Sequence, residues 1–121
     1  MSAASKRIAA LNDQLRARVG LPCLNGRGAP KGLAVITRGI IALPFERQCE
    51  ILIRVRMFDA FTPDNDPYGE HDFGAIDVIG VGRVFWKIDT YADSSCRFGS
   101  EDPSDPERSF RVITIMLAEE Y

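Results

Sequence analysis

Seventeen consecutive residues hold most of the chemistry this chain could perform. Phe58 to Gly74 reads F-D-A-F-T-P-D-N-D-P-Y-G-E-H-D-F-G and carries five carboxylates, Asp59, Asp64, Asp66, Glu70 and Asp72, beside the only histidine, His71. Hard divalent cations are held by clustered oxygens, so Asp64, Asp66, Glu70 and Asp72 are the candidate metal ligands. An EF-hand does not fit. Counted from Asp64, glycine falls correctly at the sixth place, but Tyr68 stands at the fifth and Ala75 at the twelfth, where a bidentate glutamate belongs. A metal-dependent phosphodiesterase holds Mg²⁺ on carboxylates and steadies phosphate charge with a lysine, which makes His71, Asp72, Lys87 and Asp89 the candidate catalytic groups. The Glu-x-Lys strand pairing of nucleases is not among them, because Phe85 occupies the place of the acid.

Other chemistries have less to stand on. A serine or cysteine nucleophile needs a base within hydrogen-bond reach, and one histidine with no Gly-x-Ser-x-Gly elbow does not point there. Cys23, Cys49 and Cys96 are an odd, scattered set without a C-x-x-C pair, which argues against both a disulfide framework and a thiolate zinc site. No organic cofactor is expected. The acidic stretch also has a plainer reading, since Asp and Asn in turns bond their own backbone and prolines fix φ. On that reading Asp64-Asn65-Asp66-Pro67 is a self-bonded scaffold, and function lies in a surface that binds a partner.

The elements that would position these residues follow from periodicity. Residues 2–19 read as a helix capped by Ser2 or Ser5, with Ile8, Leu11, Leu15 and Val19 forming one apolar stripe and Gly20-Leu21-Pro22 ending it. Residues 20–32 read as a flexible loop. Gly26, Gly28 and Lys31 do not make a phosphate-binding loop, because Lys31 lies between Pro30 and Gly32 rather than before Ser or Thr and a helix. Leu33–Thr37 has the β-branched content of a short strand. Residues 44–60 fit both periods, since Ile51, Val55 and Phe58 keep helical spacing while Ile51, Ile53, Val55 and Met57 alternate; the uninterrupted length predicts a helix. Phe73–Ile79 and Arg83–Tyr91 predict a hairpin about Gly80-Val81-Gly82, with Val84, Trp86 and Ile88 turned to the core. After a polar connection over 92–109, Phe110–Ala118 is apolar on both alternations, as expected of a central strand covered on both faces.

At 121 residues with 45% hydrophobic and 26% charged content, the chain suits one soluble domain. Residues 1–32 form a basic helix and loop, and 33–121 the core. The predicted fold is α+β in the order α-β-α-β-β-β, with a mostly antiparallel sheet covered by helices. No apolar run approaches the roughly 18 residues of a membrane span, and the N-terminus lacks a signal-peptide core, so no membrane partner and a cytoplasmic location are expected. The net charge of −2 hides an asymmetry. Residues 1–38 carry seven Lys or Arg against Asp13 alone, leaving eight basic and sixteen acidic groups in 39–121. Either the two parts attract each other within one fold, or the basic segment is an arm for nucleic acid.

The segments D-N-D-P-Y-G-E-H-D-F-G (64–74), W-K-I-D (86–89), D-P-S-D-P (102–106) and R-V-I-T-I-M-L-A-E-E-Y (111–121) resemble the signature of a family of short bacterial proteins known only as a domain of unknown function. The likeness covers most of residues 33–121. It implies a bacterial origin and an association with plasmids and phage-derived regions, but supplies no activity and no catalytic residues. The leading expectation is therefore a small cytoplasmic, non-enzymatic binding or regulatory protein with a protein partner. The alternative is a divalent-metal-dependent phosphodiester hydrolase using the acidic 64–72 loop.

Overall fold

Ser2 opens the first helix in the expected way, its hydroxyl accepting the Ser5 N–H at 3.0 Å. In the computed structural model, which describes residues 2–21 and 28–121, helix α1 spans Ala3–Arg16. Ile8, Leu11, Leu15 and Val19 are all buried, so the stripe is where its spacing put it. The helix ends three residues early, and tighter turns carry the chain to Gly20, with the Arg18 and Val19 N–H groups bonded three residues back. Residues 22–27, within the expected 20–32 loop, and Cys23 with them lie outside the described residues.

Strand β1 runs Lys31–Ile36 and is followed by a short helix, α2, at Arg38–Ile41. The strand ends at Ile36, and Arg38-Gly39, which read as a break, open α2, whose Ile40 is wholly buried. Helix α3 spans Phe45–Arg56 with Pro44 as its N-cap, shorter than the predicted 44–60. Its two possible periods are resolved by burial: Ile51 and Val55, one turn apart, are inside, while Ile53 is exposed. Strands β2 (Phe73–Val78), β3 (Gly82–Tyr91) and β4 (Phe110–Leu117) complete the sheet, with single 3₁₀ turns at Pro106–Arg108 and Ala118–Glu120.

The sheet order is β1-β4-β3-β2. β4 pairs with β1 in parallel and with β3 antiparallel, and β3 pairs with β2 antiparallel, so the α+β fold holds a mixed, mostly antiparallel sheet. On one face Ile76, Val84, Trp86, Ile88, Ile113 and Ile115 pack against Leu15, Val19, Ile40, Ile51 and Val55 of the helical layer. Burying these side chains is the main driving force for the fold. Trp86 fits only because Gly74 faces it, since a β-carbon there would lie 2.3 Å from the indole Nε1.

β4 is central, as its composition predicts, but the helices cover only one side of it. Register places Val112, Thr114 and Met116 on the second face, beside Leu33 and Val35 of β1 and Phe85, Lys87, Asp89 and Tyr91 of β3. Among the described residues no helix lies over that face. Phe73, Phe85 and Tyr121 cluster on it, Tyr121 edge-to-face with both phenylalanines at 6.1 and 5.7 Å and the two phenylalanine rings tilted 5.2 Å apart. No described helix is long and apolar enough to cross a membrane.

Candidate functional site

Because β1, β2 and β4 run one way and β3 the other, the starts of β2 and β4 share an end of the sheet with the end of β3. The loops 57–72 and 92–109 both feed that end. The Asp72 carbonyl accepts the Ile88 N–H at 2.8 Å, so the last carboxylate of the acidic stretch stands level with the Ile88–Asp89 end of β3. The two loops therefore converge at one rim of the sheet.

The 59–72 loop is largely self-bonded. Asn65 Oδ1 accepts the Thr62 N–H at 2.8 Å, Thr62 Oγ1 accepts the Asn65 N–H at 3.3 Å, and Asn65 Nδ2 donates to the Ala60 carbonyl at 2.9 Å. The buried Asp66 accepts the His71 N–H at 3.2 Å, which helps hold His71 in the left-handed region at φ 55°. This is the Asx-turn scaffold that Asp, Asn and Pro in a row allow.

His71 then locks the loop to α1. Its ring stacks flat on Phe61, centroids 3.8 Å apart. Nδ1 lies 3.0 and 3.1 Å from the two oxygens of Asp13, and Nε2 lies 3.6 Å from Asp66 Oδ2. Asp13 also accepts from Arg16 Nη1 at 2.9 Å. The buried Arg16 donates to the Phe58 carbonyl at 2.9 Å, and its guanidinium sits 5.4 and 5.0 Å from the ring centres of Phe61 and Trp86. Both ring nitrogens of His71 thus face carboxylates, and neither faces a hydroxyl or thiol, so the geometry is that of a clasp.

A second tie runs beneath the rim. Asn12 Nδ2 donates to the Glu70 carbonyl at 2.9 Å, and Asn12 Oδ1 accepts from Arg111 Nε at 2.7 Å. The wholly buried Arg111 also donates to the Pro103 carbonyl, and burial pushes its guanidinium down to about 10. Two side chains thereby join α1, the acidic loop, β4 and the 92–109 loop. Within that last loop Ser109 Oγ donates to the Asp102 carbonyl at 2.9 Å.

The candidate metal ligands do not converge. Asp64 is exposed, Asp66 is committed to His71, and among the described residues no group of three or more His, Cys, Asp or Glu is arranged to hold a metal ion. Glu70 does feel Asp72. Burial and then the neighbouring carboxylates Asp72 and Asp66 raise Glu70, while burial followed by Asp66 and Asp89 raises Asp72 against the pull of its backbone hydrogen bond and of His71. The catalytic candidates divide between the two sides of the sheet. His71 sits on the helical side, whereas Lys87 and Asp89 lie on the open face and pair with each other at 2.9 Å. Asp13, Asn12, Arg16, Phe61 and Arg111 were not foreseen. Asn12 and Arg111 had left a trace, as polar residues standing on the apolar stripe of α1 and on the inward alternation of β4.

The basic segment is not a detached arm. Lys6 and Arg7 are exposed, but Arg16 is buried in the clasp and Leu15 and Val19 belong to the core.

The family described as Protein of unknown function (DUF3768) matches residues 36–120, and the chain belongs to it. No curated protein and no solved structure is significantly similar to the chain.

Proposed function

We propose that the protein is a non-enzymatic binding or regulatory module whose working surface is the helix-free face of the sheet, and that its partner is a protein. The observation that carries this is the composition of that face. Leu33 and Val35 are 46% and 41% exposed, next to Val112, Thr114, Phe85 and Tyr91. Its charges are neutralised in pairs, Lys87 with Asp89 at 2.9 Å, Lys31 with Glu107 at 3.2 Å and Arg83 with Asp77 at 3.1 Å. An apolar and aromatic surface with balanced charge suits a protein and offers no field for a polyanion. The unbridged thiols of Cys49 and Cys96 fit a reducing compartment, in keeping with the cytoplasm.

A photoreactive phenylalanine analogue introduced at Val35 or Thr114 should form one specific protein adduct, and the same analogue at Gln14 on α1 should form none. The captured protein, once purified, should bind the wild type and lose binding to Leu33→Asp, Val35→Asp. Unchanged binding by that variant would end the reading. So would hydrolysis of a phosphodiester with Mg²⁺ or Mn²⁺ that disappears in Asp72→Asn, or salt-sensitive retention of DNA that disappears in Lys6→Glu, Arg7→Glu.

A further inference from the structure

Helix α3 keeps an apolar stripe on the side turned away from the core. Phe45, Ile53 and Met57 are 77%, 46% and 75% exposed, and the half-buried Cys49 completes the series at steps of four residues. These positions cluster along one side of the helix, opposite the buried Ile51 and Val55. Along the edge of the stripe stand Glu46, Glu50 and Arg54. Within the chain Glu50 lies 2.6 Å from Arg47 and 3.9 Å from Arg54, and Arg54 Nη1 donates to the Asp77 carbonyl at 2.6 Å, leaving its other donors for a second copy.

We propose that α3 is a self-association helix, on which two copies of this chain pack antiparallel about a two-fold axis level with Ile51. In that arrangement unlike residues of the stripe meet, whereas a parallel pair would set each against its own copy. Phe45 of each copy meets Met57 of the other, a favourable sulfur–aromatic contact, and Cys49 meets Ile53. Charge decides the orientation. With a rise of about 1.5 Å per residue, Arg54 lies about 4.5 Å past the axis, while Glu50 and Glu46 lie about 1.5 and 7.5 Å before it. The two-fold therefore sets Arg54 of one copy between Glu46 and Glu50 of the other along the same edge. A two-fold along the helix axes would instead carry the charged row to opposite edges, so a parallel pair would bring no Arg54–Glu contact. Because α3 lies on the helical side of the sheet, the dimer leaves both open faces turned outward, so it would present two binding surfaces at once.

Sedimentation equilibrium of the wild-type chain at micromolar concentration should return a dimer, and Phe45→Glu, Ile53→Glu should return a monomer with unchanged far-UV and near-UV circular dichroism. Arg54→Glu should raise the dimer Kd roughly tenfold or more, and adding Glu46→Arg should restore it, a rescue that a merely greasy surface would not give. In a chain with Cys23→Ser and Cys96→Ser, Ile53→Cys should form a disulfide-linked dimer with Cys49 of the second copy under mild oxidation. A wild-type monomer, a dimer that survives Phe45→Glu, Ile53→Glu, or an Arg54→Glu defect that Glu46→Arg does not relieve would each overturn the proposal.

Discussion

A methyl group added at Gly74 would have to enter the Trp86 ring, where the nearest atoms lie 2.3, 2.5 and 2.7 Å from the ideal β-carbon. The indole is wholly buried and braced by Phe58 and Phe61, so it cannot swing away. Gly74→Ala should therefore cost about 1–3 kcal/mol in urea unfolding, the usual penalty for overpacking, with a shift in Trp86 fluorescence. Asp72 behaves in the opposite sense. Burial, then Asp66 and Asp89, hold its carboxyl above the ordinary 3.8. The folded chain then binds that proton more tightly than the unfolded one, so Asp72 costs nothing below its ordinary value and an increasing amount as pH rises through its raised folded value. Asp72→Asn should raise Tm at pH 7, and the gain should vanish in acid; a Tm that falls at pH 7 would show that the ionised carboxylate is held by contacts stronger than its repulsions. At this scale the sequence was half legible. The acidic stretch was visible, but its partners were not, because Asp13 is 58 residues from His71 and Asn12 58 residues from Glu70, and only the fold brings them near.

Elements repeat the lesson. Helix α1 and the β2–β3 hairpin could be read from their periods, since a buried face imposes its period on the residues that fill it, whereas α3 fitted both periods and was assigned by its length and β1 by its β-branched content. Helix α2 could not, because four residues carry no period. What sets its start is a clasp from the far end of the chain. Glu120 accepts the Thr37 hydroxyl at 2.6 Å, the Gly39 N–H at 2.9 Å and the Leu117 N–H at 3.0 Å. Gly39 is needed there, since a β-carbon would lie 2.5 Å from the carboxylate. These hydrogen bonds, the Thr37 hydroxyl foremost, hold Glu120 below its ordinary 4.5. The stability it contributes is thus present above that value and lost as pH falls through the lower folded one. Glu120→Gln should lower Tm at neutral pH and speed amide exchange at Gly39 and Leu117, with the difference from wild type closing in acid. Exchange that stays slow would mean that the 3₁₀ turn docks without its carboxylate. The second face of β4 misled for a related physical reason: two apolar alternations report that both faces avoid water, not that this chain supplies both covers.

On the scale of the whole molecule, the residues shared with the family and the residues that fold together are not the same set. The family match spans 36–120 and omits α1 and nearly all of β1. Yet α1 and the turns that follow it contribute Leu15 and Val19 to the core, Arg16 beneath the aromatic rings, and Asn12 as the link between Glu70 and Arg111. Without α1, Arg111 loses the Asn12 acceptor and His71 loses Asp13, and a buried cation with fewer acceptors is among the costlier things a core can contain. β4 would also lose its parallel neighbour and become an edge strand with apolar residues on both sides, an invitation to aggregate. A chain of residues 36–121 should therefore not fold on its own. It should show little near-UV circular dichroism, no cooperative melting transition and a strong tendency to precipitate, while the full chain melts in one step. If the shortened chain instead gave a sharp transition and a dispersed NMR spectrum, the basic N-terminal segment would be an accessory after all, and its exposed Lys6 and Arg7 would become free to serve a partner of their own.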